Sequence, residues 1–180
     1  VMAEALKSDA QLLNPVEKEF LKNLPIQKEV KAGGVKFLLV HGSPRKNNED
    51  ILPDTPLSEV EKMLENVDAD VIAYINVTNP LINDADVVLC GHTHIPCGFQ
   101  TESRKTVVNA GSIGRTFFVE PNSYPKACYL IIEVDNGSCV FQHQFVEYDK
   151  EQASEKLAAR EFEGADKLAG MLINPEIRHF

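Results

Sequence analysis

Apolar residues recur along the chain with two different periods, and the switches between them divide it into elements. Met2, Ala5, Leu6 and Leu13 fall roughly on one face of a helix over 2–13. Pro15 suits the first turn of a second helix, VEKEFLKNL, which stops before Pro25. Residues 28–40, KEVKAGGVKFLLV, predict a hairpin: one strand, a turn at Gly33-Gly34, then the buried strand VKFLLV. Helical spacing returns with Leu57, Val60, Leu64 and Val67. Residues 68–83, DADVIAYINVTNPLIN, hold a β-rich run over 71–78 that reads equally as an extra strand or as an insertion, and DADV recurs at 84–87.

The second half is dominated by period-two patterns. VVLC at 87–90 is a short buried strand, followed by strand candidates CGFQTES, KTVVNAGSIG and ACYLIIEV. Asp135-Asn136-Gly137 predicts a hairpin turn into SCVFQHQFVEY. Asp149 with Gln152 resembles a capping box that opens one C-terminal helix over 149–172, with an apolar stripe of Ala153, Leu157, Ala158 and Leu168 and an unfavourable Gly164 inside it. The order α, α, β, β, α, mostly β, α predicts a mixed α/β fold with much antiparallel sheet, as a single domain over 1–180.

Composition narrows the function classes. The chain has 180 residues, 43% hydrophobic and 25% charged, in the range of a soluble globular domain. Its net charge of −9 opposes binding to nucleic-acid polymers, while bound divalent cations would still admit a small phosphorylated substrate. No stretch has the length of a membrane span, and no signal peptide is evident. Cys90, Cys97, Cys128 and Cys139 lack a regular framework, which predicts reduced thiols and a cytoplasmic setting. The Asn76-Val77-Thr78 tripeptide fits a glycosylation sequon with nothing else to support secretion.

Three buried strands each deliver a polar loop at their C-terminal end: FLLV-HGSPR, VVLC-GHTHIP and TVVN-AGSIGR. Ligands of α/β sheets bind where strands end in loops, so the three ends are expected to converge. They carry His41, His92, His94, Asn109, Ser112 and Arg115. Two imidazoles one residue apart, led by Gly91 as the residue that lets the backbone turn, suit one metal ion or two neighbouring ones. Taken alone, His41 fits a structural role as well, and His143 and His179 are expected to be structural. Cys90-x-His92-x-His94-x2-Cys97 also offers four zinc-ligand types, at a spacing too tight for the usual structural zinc sites.

GHTHIP, with LLVHGSPR upstream and VVNAGSIG downstream, resembles the C-terminal half of the calcineurin-like metallophosphoesterases, and most of all their small bacterial and archaeal phosphodiesterase branch. His41 and Gly91-His92-Thr93-His94 match the family's last metal motifs. Asn109-Ala110-Gly111-Ser112 matches its NPGS loop, with alanine for proline, and the tail from FFVEPNSYP through VFQHQFVEYD is similar as well. The resemblance implies an α/β/β/α sandwich of two mixed sheets and a two-metal phosphoesterase, most of all a phosphodiesterase. Manganese, iron or zinc would be held by His41 and His92 at one ion and by His94 at the other. Asn109, Ser112, Arg115 and Arg45 would meet the substrate, Arg115 through its guanidinium fork.

The family's Asp-x-His, Gly-Asp and Gly-Asn-His motifs do not occur here, and the chain enters a helical pattern directly after Val1. It therefore reads as lacking an N-terminal half that would hold the catalytic residues. The 180 residues alone are expected to be inactive and to self-associate through exposed apolar surface. A catalytically silent scaffold of the same fold, like the retromer scaffold subunit, is the rival reading, and a partial α/β domain whose histidines only pack is a third.

Overall fold

The computed structural model describes residues 2–67, 87–117 and 126–174, together with the backbone of 72–75. The Asn76 sequon, the DAD of the second DADV, His179 and most of 68–83 lie outside the described residues. The described residues form helices α1 (Met2–Leu12), α2 (Pro15–Lys22), α3 (Leu57–Met63), α4 (Lys150–Ala158) and α5 (Ala165–Ile173). The strands are β1 (Lys28–Ala32), β2 (Val35–Leu39), β3 (Ile72–Ile75), β4 (Val87–Cys90), β5 (Cys97–Gln100), β6 (Thr106–Asn109), β7 (Ala127–Asp135) and β8 (Ser138–Val146). Among the described residues no helix is long and apolar enough to cross a membrane.

Two mixed sheets result, as the resemblance implies. The first has the order β1-β2-β4-β6-β5, with β2, β4 and β6 parallel and an antiparallel strand at each edge. The second has the order β3-β8-β7, with β3 parallel and β7 antiparallel to β8. The run at 68–83 thus contributes a strand, and to the second sheet rather than the first.

Side-chain alternation along β4 and β6 assigns each residue a layer. Val87 and Val108 join Val35 and Phe37 against Cys139 and Phe141 of β8, filling the space between the sheets. Val88, Cys90 and Val107 point the other way, to Ile51 and to Val60, Met63 and Leu64 of the α3 segment. Covered on both faces, β4 carries an unbroken apolar run, and β6 is apolar at its two central residues. Val60, Leu64, Val88 and Val107 are fully buried, each worth about 1.5–3 kcal/mol of transfer free energy.

The turns form where expected. Gly33 and Gly34, and Asn136 and Gly137, all have positive φ, as tight hairpins require. The two turns also grip each other: the Gly137 amide donates to the Gly33 carbonyl at 3.0 Å. A Cβ on Gly33 would lie 2.6 Å from Val134 Cγ1, so the sheets close on each other at this end. Asn14 caps α2 through a full capping box with Glu17. Asp149 caps α4 by accepting from the Gln152 amide at 2.8 Å, while the Gln152 side chain accepts from Lys156.

One expectation is corrected. The C-terminal helix over 149–172 is two helices: α4 ends at its Ala159 cap, and Gly164, left-handed (φ 85°), starts α5. Arg160, in the connection, donates to Asp9 and Ser8 of α1 and ties this helical pair to the first helix.

Candidate metal centre at the strand ends

Strand register decides which loops meet. Leu39 stands opposite Leu89 and Cys90 opposite Asn109. The ladder continues past the strands, with Gly91 N donating to His41 O at 2.9 Å and Ala110 N to Cys90 O at 3.1 Å. His41, Gly91 and Ala110 therefore lie side by side at the C-terminal edge of the first sheet, and the three predicted strand ends converge.

His41 and His92 are brought into contact. His41 Nε2 lies 3.2 Å from His92 Nδ1, with ring centroids 5.0 Å apart and planes at 67°. Metal–nitrogen bonds of about 2.0–2.1 Å place two ligand nitrogens of one ion roughly 3.0–3.4 Å apart, so this pair fits two positions of a coordination shell. Desolvation, and then the neighbouring His92 ring, lower the pKa of His41 and favour the neutral imidazole that a metal needs. Asp50 Oδ1 is 3.5 Å from the other nitrogen of His92, on the side away from His41's contact.

The backbone between the two imidazoles of the GHTH loop is strained. His92 (φ 63°) and His94 (φ 62°) are both left-handed, at about 1–3 kcal/mol each for a side chain with a Cβ. The role expected of Gly91 thus belongs to its neighbours: Gly91 is not left-handed, and a Cβ there would meet only His41 O at an ordinary 3.7 Å. Thr93 folds between the histidines, its amide donating to Gly91 O at 2.7 Å. The Asn109 side chain holds the loop closed, Nδ2 donating to Gly91 O at 2.7 Å and to Thr93 Oγ1 at 2.9 Å, while its Oδ1 accepts from Gly111 N at 2.9 Å. His94 Nδ1 lies 2.9 Å from Arg115 O. A carbonyl only accepts, so Nδ1 carries the proton and Nε2 presents the lone pair, the arrangement that orients metal-ligating histidines.

The remaining expected site residues act on the loops. Asn109 is fully buried, so its side chain clips the loop rather than lining a pocket. Ser112 accepts from Arg115 N through Oγ at 3.0 Å and from Cys128 N through its carbonyl at 2.8 Å; the same carbonyl accepts from Thr116 Oγ1. The Arg115 guanidinium covers the Phe117 ring at 4.8 Å and donates to Met171 Sδ of α5 at 2.9 Å. Arg45 forks onto Glu49 and reaches Glu59 of α3 at 2.9 Å, while Glu49 accepts from Ser43 Oγ. This network fixes the loop after His41, where a Cβ on Gly42 would lie 2.5 Å from Asn47 O.

The four-ligand zinc alternative does not form. All four cysteines are free thiols, and burial pushes Cys90 far up and Cys97 up to about 11, away from the thiolate that zinc binds. Among the described residues, no three His, Cys, Asp or Glu gather in a way that could hold a metal ion. His41 and His92 thus fit part of a shell, and a complete shell needs further donors.

The family model described as the calcineurin-like phosphoesterase superfamily domain matches residues 12–137. A solved structure of a hypothetical protein from Pyrococcus horikoshii is 23% identical over 93% of this chain, with a TM-score of 0.67. The chain spans 57% of the length of that protein. Vps29 from Entamoeba histolytica, solved in complex with zinc, is 17% identical over 68% of this chain and 62% of its own, with a TM-score of 0.39. A predicted phosphoesterase from Streptococcus pneumoniae is 15% identical over 68% of this chain and 63% of its own, with a TM-score of 0.35. No curated protein matches the chain.

Proposed function

The chain belongs to the calcineurin-like phosphoesterase superfamily, and on that premise we propose that the whole protein is a metal-dependent phosphoesterase, more specifically a phosphodiesterase acting on a small phosphorylated substrate. The observation that carries this reading is the His41–His92 pair, whose nitrogens stand 3.2 Å apart at the C-terminal edge of parallel strands. Divalent ions of manganese, iron or zinc, when bound, would supply Lewis-acid chemistry for hydrolysis of the ester. His41 Nε2 and His92 Nδ1 would hold one ion, and His94 Nε2 would contribute to the other. Asn109, Ser112 and Arg115 hold the loops that present these nitrogens, and Arg45 holds the His41 loop against α3. The four free thiols support a reducing, cytoplasmic setting.

The test is metal binding and turnover by the whole protein. Mn²⁺ titration by calorimetry, with hydrolysis of bis-p-nitrophenyl phosphate, should show both in the wild type. Both should be lost in the His41→Ala/His92→Ala double variant. Full metal content in that variant refutes the assignment of this pair.

A further inference from the structure

The second sheet reaches the candidate metal centre through one side chain. His143 Nε2 on β8 lies 2.7 Å from the carbonyl oxygen of Asn109, at the end of β6 in the first sheet. The acceptor is a carbonyl, so Nε2 carries the proton and donates. From the same residue, the Asn109 amide reaches Gly91 O and Thr93 Oγ1 on either side of His92. Three hydrogen bonds of 2.7, 2.7 and 2.9 Å therefore run from the second sheet to the GHTH loop.

We propose that His143 is a positioning residue of the candidate metal centre, anchoring Asn109 so that His92 and His94 are held left-handed with their ligating nitrogens presented. The proposal rests on the reading of His92 and His94 as metal ligands. Two left-handed residues with side chains, one on each side of Thr93, relax unless their surroundings hold them. What holds them is the buried Asn109 side chain, whose direction depends on where the end of β6 lies. That strand end has β4 on one side and β5 on the other, yet the Asn109 carbonyl is directed at His143, across the sandwich. The Gly33–Gly137 bond closes the far end of the two sheets, so His143 fixes their spacing at the end where the ligands sit.

The rival account, a structural hydrogen bond that adds only stability, predicts different data. His143→Gln keeps an N–H donor in reach of the Asn109 carbonyl, and His143→Leu removes it. In the full chain without metal, His143→Leu should move the ¹³Cα and ¹³Cβ resonances of His92 and His94 away from their left-handed values, and His143→Gln should restore them. Mn²⁺ affinity of the whole protein should fall about 10-fold in His143→Leu and recover in His143→Gln. A folded His143→Leu protein with unchanged His92 and His94 resonances overturns the proposal. If His143→Leu does not fold, ¹⁵N spectra of the wild-type ring decide: a proton on Nε2 supports the bond, and a proton on Nδ1 alone overturns it. A wild-type protein that binds no Mn²⁺ refutes the metal reading of the site, and the resonances then decide the positioning of the loop by themselves.

Discussion

The amide of Gly91 donates to the carbonyl of His41 at 2.9 Å, two residues beyond Leu39 and Leu89, the last paired residues of β2 and β4. This bond, rather than any local motif, sets the His92 ring against the His41 ring although 51 residues separate them. Strand side chains alternate with a period of two, so a slip of one residue would turn Val87 and Val88 to the wrong layers. The hydrophobic core on both faces of β4 therefore enforces the histidine contact, and fold stability and site geometry are coupled at the level of register.

Removing either member of that pair should be felt as lost metal. His41→Ala, His92→Ala and His94→Ala should each weaken Mn²⁺ binding by the whole protein by at least about 10-fold, because each deletes a donor from a shell that must compete with water. Calorimetric titration checks this, and unchanged affinity in all three would detach these residues from metal binding.

Asn109 should behave as a buried clip. Asn109→Leu removes, from a fully buried position, the side chain that Gly91 O, Thr93 Oγ1 and Gly111 N bond. Gly91 O keeps the bond from the Thr93 amide, so the loss falls mainly on Thr93 Oγ1 and Gly111 N, at roughly 1–3 kcal/mol for each buried group left unsatisfied. Urea unfolding should show a fall of several kcal/mol, far beyond the effect of removing a pocket-lining residue.

Much of this was legible in the sequence, and what was not has a physical cause. The Gly33-Gly34 and Asn136-Gly137 turns and the three converging strand ends were readable because turn chemistry and hydrophobic period are local. Gly164 was visible as a weak point in a helix, but only packing of α5 against α4 decides that the chain breaks there. The roles of Arg45 and His143 depend on partners that sequence separation hides: Glu59 lies 14 residues from Arg45, and Asn109 lies 34 from His143. The left-handed backbone of His92 and His94 left no sequence signal, since Gly91 beside them is the residue expected to absorb a turn.

The Arg45 network gives a pH prediction with a definite sign. The Arg45 guanidinium, acting against burial, holds the Glu49 carboxyl below its ordinary value of 4.5, and Arg45 lowers Glu59 as well. A carboxylate with a depressed folded pKa stabilises the fold fully above its unfolded value, and that stabilisation is lost as pH falls from there through the folded value. Stability should thus decline as pH drops below about 4.5. Arg45→Ala should flatten the decline, with most of its cost seen at neutral pH. Thermal unfolding at a series of pH values checks this, and parallel curves for the two proteins would disconnect Arg45 from both carboxylates.

The chain as it stands should be inactive on its own. Two-metal hydrolysis needs ions held roughly 3.5–4 Å apart by several donors, carboxylates among them. Among the described residues no three such donors gather, and the chain spans 57% of the length of the Pyrococcus horikoshii structure. On the proposed reading, His41 and His92 supply two donors to one ion, fewer than such a site needs. Exposed apolar surface points the same way: Leu12 is 73% exposed, Val16 78%, Phe20 66% and Ile26 76%, all within α1, α2 and the segment that follows. Large side chains concentrated in this way favour association, and most monomeric proteins avoid such a patch. Light scattering of the 180 residues alone should therefore report self-association, and hydrolysis of bis-p-nitrophenyl phosphate with excess Mn²⁺ should not exceed the buffer rate. Robust turnover by a monomeric preparation of these residues would require a different set of carboxylates, with Asp50 and Asp54 the first to substitute.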